Sequence, residues 1–321
     1  MIKPILRALA LLACCAAAHA ADPYPSQPIR LLIGFPPGGT TDVVGRLVAQ
    51  ELGEGLGKAV IVDNRGGASG TIATGVVAKS QPDGYTLVLV SSAHGTVPAL
   101  YNNLPYTEAE LAPIAMIAAT PYLLVVHPSM PVKDMGTLIN YLKANPGKIE
   151  FASSSPGTGQ HLAGELLKRS AGVNIMHVPY KGTGQLMPDV LAGRVPMLFE
   201  NVAVIVPHVK AGKLRAIAIS SLKRSALMPD VPTVASYGGK LSNFEVLGWF
   251  SLIAPAKTPR EILARLNAEV NRMIAKPAVK EKLQGLGAEP LGSTIPEAAQ
   301  FIKSEQDKWG KVIHDAGITP Q

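Results

Sequence analysis

Short apolar, β-branched runs alternate with stretches whose apolar residues recur at helical spacing, and that alternation confines the chain to few folds. IRLLIGF (29–35) precedes a helical pattern at 42–57, AVIVD (59–63) precedes one at 70–79, and YTLVLV (85–90) follows. Strands punctuated by helices in this way read as βαβ units on a mainly parallel sheet. From Asp42 onward, Val44, Leu47, Val48, Leu52 and Leu56 fall on one stripe that can cover such a sheet. The alternation then restarts with YLLVVHP (122–128), a helix near 134–144, KIEFASS (148–154), a helix near 159–170, IMHVPY (175–180), a helix near 183–192 and RAIAIS (215–220).

Two series predict two α/β lobes. Residues 21–121 with 248–321 form the first and 122–247 the second, with crossings at 121–127 and at LGWFSLIAP (247–255) acting as the hinge. Roughly 300 residues exceed the usual single-domain size, in keeping with that division. Near the C-terminus, Thr258, Pro259 and Glu261 have the look of a capping box opening a helix with the stripe Ile262, Leu266, Val270 and Met273. A last helix from about Pro296 to Ile313 turns Phe301, Ile302, Trp309 and Val312 inward, and both helices are expected against lobe one.

The first residues, MIKPILRALALLACCAAAHA, place Lys3 and Arg7 before an apolar run and end on Ala18-His19-Ala20. That is the pattern of a secretory signal peptide cleaved after Ala20, and its apolar run, Ala8 to Ala18, is far shorter than the ~20 residues of a membrane span. A lipobox-like Leu11-Leu12-Ala13-Cys14 is the rival, with lipid attachment at Cys14. Both cysteines, Cys14 and Cys15, leave with a peptide cut at Ala20, so no disulfide, thiolate or cysteine-metal chemistry is expected of the mature chain. Its charge is then +5, from 28 basic and 23 acidic residues, and the basic residues are scattered. Nucleic-acid binding needs a basic stripe, which this chain lacks; a mildly basic surface suits the attraction of small anions.

Glycine-rich turns carry the chemistry. Gly34-Phe35-Pro36-Pro37-Gly38-Gly39-Thr40-Thr41-Asp42 joins a strand to a helix, and helix N-termini offer unpaired N–H groups and a partial positive charge to an anion. The plainer alternative is that a threonine or Asp42 merely caps the helix. A second turn of the same kind, Ser153-Ser154-Ser155-Pro156-Gly157-Thr158-Gly159-Gln160-His161, lies in the other lobe. Ligands of open α/β sheets sit beyond the carboxyl ends of the strands, where both turns fall. Asp63-Asn64-Arg65-Gly66-Gly67-Ala68-Ser69-Gly70 is a third, in which Arg65 either meets a carboxylate or pairs with Asp63. Pro179-Tyr180-Lys181-Gly182-Thr183-Gly184 brings Tyr180 and Lys181 to another strand end.

Enzyme signatures are missing: no P-loop ending, no G-x-S-x-G elbow and no G-x-G-x-x-G occurs, and no cofactor or metal is expected. The six histidines beyond the leader include no i, i+4 pair, and Glu165 and Glu200 have no partner visible in the sequence. A periplasmic hydrolase or transferase acting on a carboxylate, with a pocket serine or His161 activated, is the alternative to a binding protein.

The motifs YPSQPIRLLIGFPPGGTTD, VDNRGGASG, QPDGYTL, LPYTEAEL, ANPGKIEFASSSPGTGQHLAGELL, HVPYKGTG, AGKLRAIAISSLKRSALMPDVPT and EQDKWGKVI, in this order, span nearly the whole mature chain. Together they resemble the Bug (Bordetella uptake gene) receptors, the solute-binding proteins of tripartite tricarboxylate transporters. The resemblance implies a type II periplasmic-binding-protein fold, two α/β lobes that close like a Venus flytrap on a small carboxylate, no catalysis, and delivery to membrane permease subunits or to a sensor protein. Carried over by position, the ligand-binding residues are Pro37, Gly38, Gly39, Thr40 and Thr41 in lobe one and Ser155, Thr158, Gly159 and His161 in lobe two. Tyr180 is added from the turn it occupies, and Glu200 stands where the family usually carries aspartate. Ser236 and Pro156 are further departures, and Pro156 takes a backbone donor from the second turn. A monomer is the default, and the identity of the carboxylate is not legible.

Overall fold

The computed structural model describes residues 24–154, 156–180 and 182–320. The signal peptide, its cleavage at Ala20, the lipobox at Cys14, and also Ser155 and Lys181 lie outside the described residues.

Strand β1 (Ile29–Ile33) is flanked in parallel by β2 (Val60–Asn64) and β3 (Thr86–Ser91). Helix α1 (Thr40–Leu56) connects β1 to β2, and the expected stripe from Val44 to Leu56 is buried. It begins two residues earlier than the stripe alone indicates, and it stops at Gly57, whose φ of 69° lets its N–H return to the Gly53 carbonyl. Helix α2 (Thr71–Ala78) links β2 to β3, and a single helical turn, α3 (Val97–Leu100), follows β3.

Strand β4 (Leu111–Val126) holds the molecule together. From Leu111 to Pro121 it runs antiparallel to β9 (Leu247–Pro255); from Tyr122 to Val126 it runs antiparallel to β7 (Met197–Asn201) and to β8 (Arg215–Ile219). The sequence pattern showed only the second half of this strand. Pro113 and Pro121 mask the first half, and the ladder accommodates them with register shifts near Pro113 and between Met116 and Ala118. The other partner of β9 is β3, also antiparallel.

Beyond β4 come α4 (Met135–Ala144), β5 (Glu150–Ser153), α5 (Gly159–Ala171), β6 (Met176–Pro179), α6 (Thr183–Leu191), then β7, α7 (Val202–Lys210) and β8. Strand β5 pairs in parallel with both β6 and β7. The resulting order, β2-β1-β3-β9-β4-β7-β5-β6, puts two parallel groups at the ends and the antiparallel β9 and β4 between them. Each group has its own apolar cores. One gathers Leu31, Val44, Leu52 and Phe250; another gathers Leu124, Phe151, Leu162 and Phe199.

Two expectations near the C-terminus need correction. Helix α8 (Arg260–Ala275) has Pro259 at its N-cap, which puts Glu261 one residue short of the position a capping box requires, and no side-chain cap forms there. The capping box is at α10 (Ile295–Asp315), after α9 (Pro277–Gly285): the Glu297 carboxylate accepts from the Thr294 N–H at 2.8 Å, and the Glu297 N–H donates to the Thr294 hydroxyl at 3.3 Å. Nor does α10 pack on one group alone. Ala298 and Ile302 join the core of Leu32 and Trp249, whereas Trp309, Val312 and Ile313 join that of Phe151 and Leu162, and Asp315 pairs with Arg169 of α5.

Candidate ligand-binding cleft

Carboxyl ends of strands from both parallel groups, with the two crossing strands between them, surround a cleft of about 500 Å³. Phe35, Thr40, Thr41, Ser69 and Ser91 line it from the first group, and Ser154, Pro156, Thr158, Gly159 and Glu200 from the second. Thr120, Tyr122, Gly248 and Trp249 come from β4 and β9.

The first turn is held rigid from behind. Asp42, in the opening turn of α1, accepts from the Gly38 N–H at 2.9 Å and from Arg46 Nε at 3.0 Å through one oxygen. The other oxygen accepts from Asn64 Nδ2 at 2.9 Å, and the same amide reaches the Phe35 carbonyl at 3.0 Å. The Arg46 bond, foremost, with the Gly38 and Asn64 bonds, outweighs burial and holds the Asp42 carboxyl down at about 2. Asp42 therefore braces the turn, Gly39 supplies no side-chain cap, and the end of α1 faces the cleft through Thr40 and Thr41. Pro37, Gly38 and Gly39 sit on the exposed outside of the turn, not in the lining. Gly34 must be glycine, because a Cβ there would lie 2.5 Å from the Gly70 Cα of the neighbouring turn.

The second turn is built differently. The Ser154 N–H donates to Gln160 Oε1 at 2.6 Å and the Gly157 N–H to His161 Nδ1 at 3.0 Å, so side chains from the first turn of α5 fold back onto the loop. Thr158 is the N-cap with extended backbone, and Gly159 opens the helix. A Cβ at Gly159 would come within 2.3 Å of the Tyr122 hydroxyl, so this glycine lets Tyr122 of β4 reach the end of α5. His161 is buried behind the turn rather than lining the cleft. It stacks on His177 at 3.8 Å between ring centroids, and His177 Nε2 lies 2.6 Å from the Ser153 hydroxyl. Burial, with the neighbouring His177, pushes His161 down to about 3, and burial pushes His177 down to about 4, so both rings are neutral at pH 7.

Glu200 closes the floor of the second half. It is 4% exposed, with Oε2 accepting from Gln160 Nε2 at 2.6 Å and Thr183 Oγ1 at 3.2 Å and Oε1 from the Asn201 N–H at 2.7 Å. Burial raises its pKa against those hydrogen bonds. Tyr180 turns away: its hydroxyl donates to Asp189 of α6 at 2.8 Å, and burial followed by that bond pushes it up to about 12. Arg65 takes the structural option, its Nε 3.1 Å from Asp63, and stays out of the lining. Ser236 is exposed and bonds to the Thr233 carbonyl, remote from the cleft.

Of the residues expected at the ligand, Thr40, Thr41, Thr158, Gly159 and Glu200 come together around one cavity; Pro37, Gly38, Gly39, His161 and Tyr180 do not border it. Sequence reasoning missed Ser91, Gln160, Thr183 and Asn201. Ser91 and Asn201 end strands, and the strand-end rule identifies them as directly as it does the two turns. Thr120, Tyr122 and Trp249 become visible only once β4 and β9 are known to run through the middle of the sheet. Among the described residues no group of three or more His, Asp or Glu side chains is placed to hold a metal.

Residues 44–318 match the model of the family described as "Tripartite tricarboxylate transporter family receptor". The chain belongs to this receptor family. Protein BugT of Bordetella pertussis is 38% identical over 305 residues, 94% of this chain and 93% of BugT. Among solved structures, R. palustris Rpa4515 with adipate superposes at a TM-score of 0.78 with 35% identity, covering 93% of this chain and 100% of that one. MatC from Rhodopseudomonas palustris with bound malate superposes at 0.72 with 31% identity, covering 90% and 100%. The α/β architecture is therefore the two-lobe, type II fold of periplasmic solute-binding proteins, and the family's members are receptors for small carboxylates rather than enzymes.

Proposed function

We propose that the chain is an exported receptor that captures one small carboxylate between its lobes and presents it to a tripartite tricarboxylate-type permease or to a sensor. The observation that carries this reading is the pair of helix ends, α1 at Thr40 and Thr41 and α5 at Thr158 and Gly159, on one cavity. Each offers N–H groups and a partial positive charge where an anion can sit. The adipate and malate of the two related structures are carboxylates of the size such a cavity admits.

In this reading lobe one comprises residues 21–121 and 248–321 and lobe two residues 122–247; the exchange of partners along β4 between Pro121 and Tyr122 supports that boundary. The carboxylate meets α1 first, and closure adds the donors of the second turn, so binding energy available only in the closed state shifts the population toward it. Removal of a signal peptide after Ala20 places the mature monomer in the periplasm. The test is a thermal-shift screen of residues 21–321 against carboxylates, with matched amides and sugars. Ligand at a hundred times its Kd stabilises by about 2.7 kcal/mol. A shift with a carboxylate class and not with its amides is the expected result; shifts with uncharged compounds alone would refute the anion site.

A further inference from the structure

Two hydroxyls on β4 gather at one place beside the second helix end. Thr120 and Tyr122 lie two residues apart, hence on one face of the strand, and both border the cavity. A Cβ at Gly248 of β9 would stand 2.4 Å from Thr120 Oγ1 and 3.5 Å from the Tyr122 hydroxyl, and one at Gly159 would stand 2.3 Å from that same hydroxyl. Both glycines border the cavity too, so their missing side chains leave space around a pair of donors. Thr120 is 4% exposed, yet its hydroxyl bonds to no described residue, and neither does that of Tyr122. Burial, and then the nearby Glu200 carboxylate, push the Tyr122 phenol upward, so it keeps its proton at neutral pH. Buried donors left unpaired are costly, and an acceptor brought by a ligand removes that cost.

Resting on the reading of the cleft as a carboxylate receptor, we propose that Thr120 and Tyr122 are ligand-positioning residues that donate to the carboxylate held at the end of α5. A carboxylate has about four acceptor sites, enough for a helix end and both hydroxyls. The pair stands where β4 exchanges β9 for β7, so the ligand is tied to the crossing strand as well as to the helix ends. Hydroxyls that only packed β4 against its neighbours would change the stability of the unliganded protein, and this separates the two roles.

Isothermal titration of residues 21–321 with succinate, malate and adipate, beside urea unfolding of the unliganded protein, reads both. Tyr122→Phe and Thr120→Val keep the shape of the side chain and remove only its hydroxyl. Each should weaken the best-bound of the three at least tenfold, with the urea midpoint unchanged. Thr120→Ser, which returns the hydroxyl, should keep most of the affinity. A smaller loss than tenfold in either variant overturns the proposal, as does a loss accompanied by a lowered midpoint. If one variant does not fold, the other decides. If none of the three acids binds, the best carboxylate of the screen takes their place. Absence of binding by any carboxylate overturns the receptor reading together with this inference; carboxylate binding that both variants keep overturns this inference alone.

Discussion

Gly159 and Tyr122 meet where β4 touches the second helix end, and a single methyl group is enough to separate them. Gly159→Ala puts a Cβ within 2.3 Å of the tyrosine hydroxyl, so the ring must swing away or the helix start must shift. Overpacking of this kind costs about 1–3 kcal/mol, measurable in urea unfolding, and carboxylate affinity should drop at least tenfold. Combined with Tyr122→Ala, which removes a side chain packed against the Phe151 core, the loss should be smaller than the sum of the two separate losses in a double-mutant cycle. The stacked histidines make a second prediction. His161 and His177 have ordinary values of 6.5 that fall to about 3 and about 4 in the fold, so below pH 6.5 the unfolded chain binds protons that the native state refuses. Their contribution is complete above pH 6.5 and is lost as pH falls toward 3. Unfolding midpoints should therefore decline between pH 6.5 and 4 by an equivalent of about 2–4 kcal/mol, and a His161→Phe, His177→Phe double variant should flatten that decline. At this scale the sequence showed which turns border the cleft but not which atoms face inward. His161 belongs to the right turn, yet its Nδ1 accepts from Gly157 and so faces away from the cleft, a direction that spacing alone does not give.

Helix α10 is the element whose role differs most from its sequence pattern. Its apolar stripe is unremarkable, and its inward positions Ile302, Trp309 and Val312 are the expected ones, but the stripe changes cores along its length. Glu305 fixes it in place: the carboxylate accepts from the indole Nε1 of Trp249 on β9 at 3.1 Å and from that of Trp309 at 2.9 Å, and Lys308 pairs with it. Glu305→Ala leaves two buried indole donors without an acceptor and should destabilise the protein by about 2–5 kcal/mol in chemical unfolding. These are the chain's two tryptophans and both border the cleft, so the intrinsic fluorescence of the variant should shift as well. Elements with uninterrupted patterns, such as α1 and β9, were legible almost to the residue. The first half of β4 was not, because prolines inside a strand read as breaks until a neighbouring strand supplies the bulges that absorb them.

Over the whole molecule, the two series of strands and helices announce two lobes, and the resemblance to the family fixes their type. What single-sequence reasoning could not supply is the order of the sheet, in which β9 and β4 lie side by side between the two parallel groups and carry Trp249, Thr120 and Tyr122 to the cleft. For the closure proposed above, with β4 and β9 as the adjacent hinge strands, small-angle scattering should show a smaller radius of gyration with a saturating carboxylate than without it. Whether both helix ends hold one carboxylate is read by titrating the best carboxylate of the screen into wild-type protein and into Thr40→Val, Thr158→Val. The folded double variant should bind at least a hundredfold more weakly; affinity equal to that of the wild type would refute the shared site.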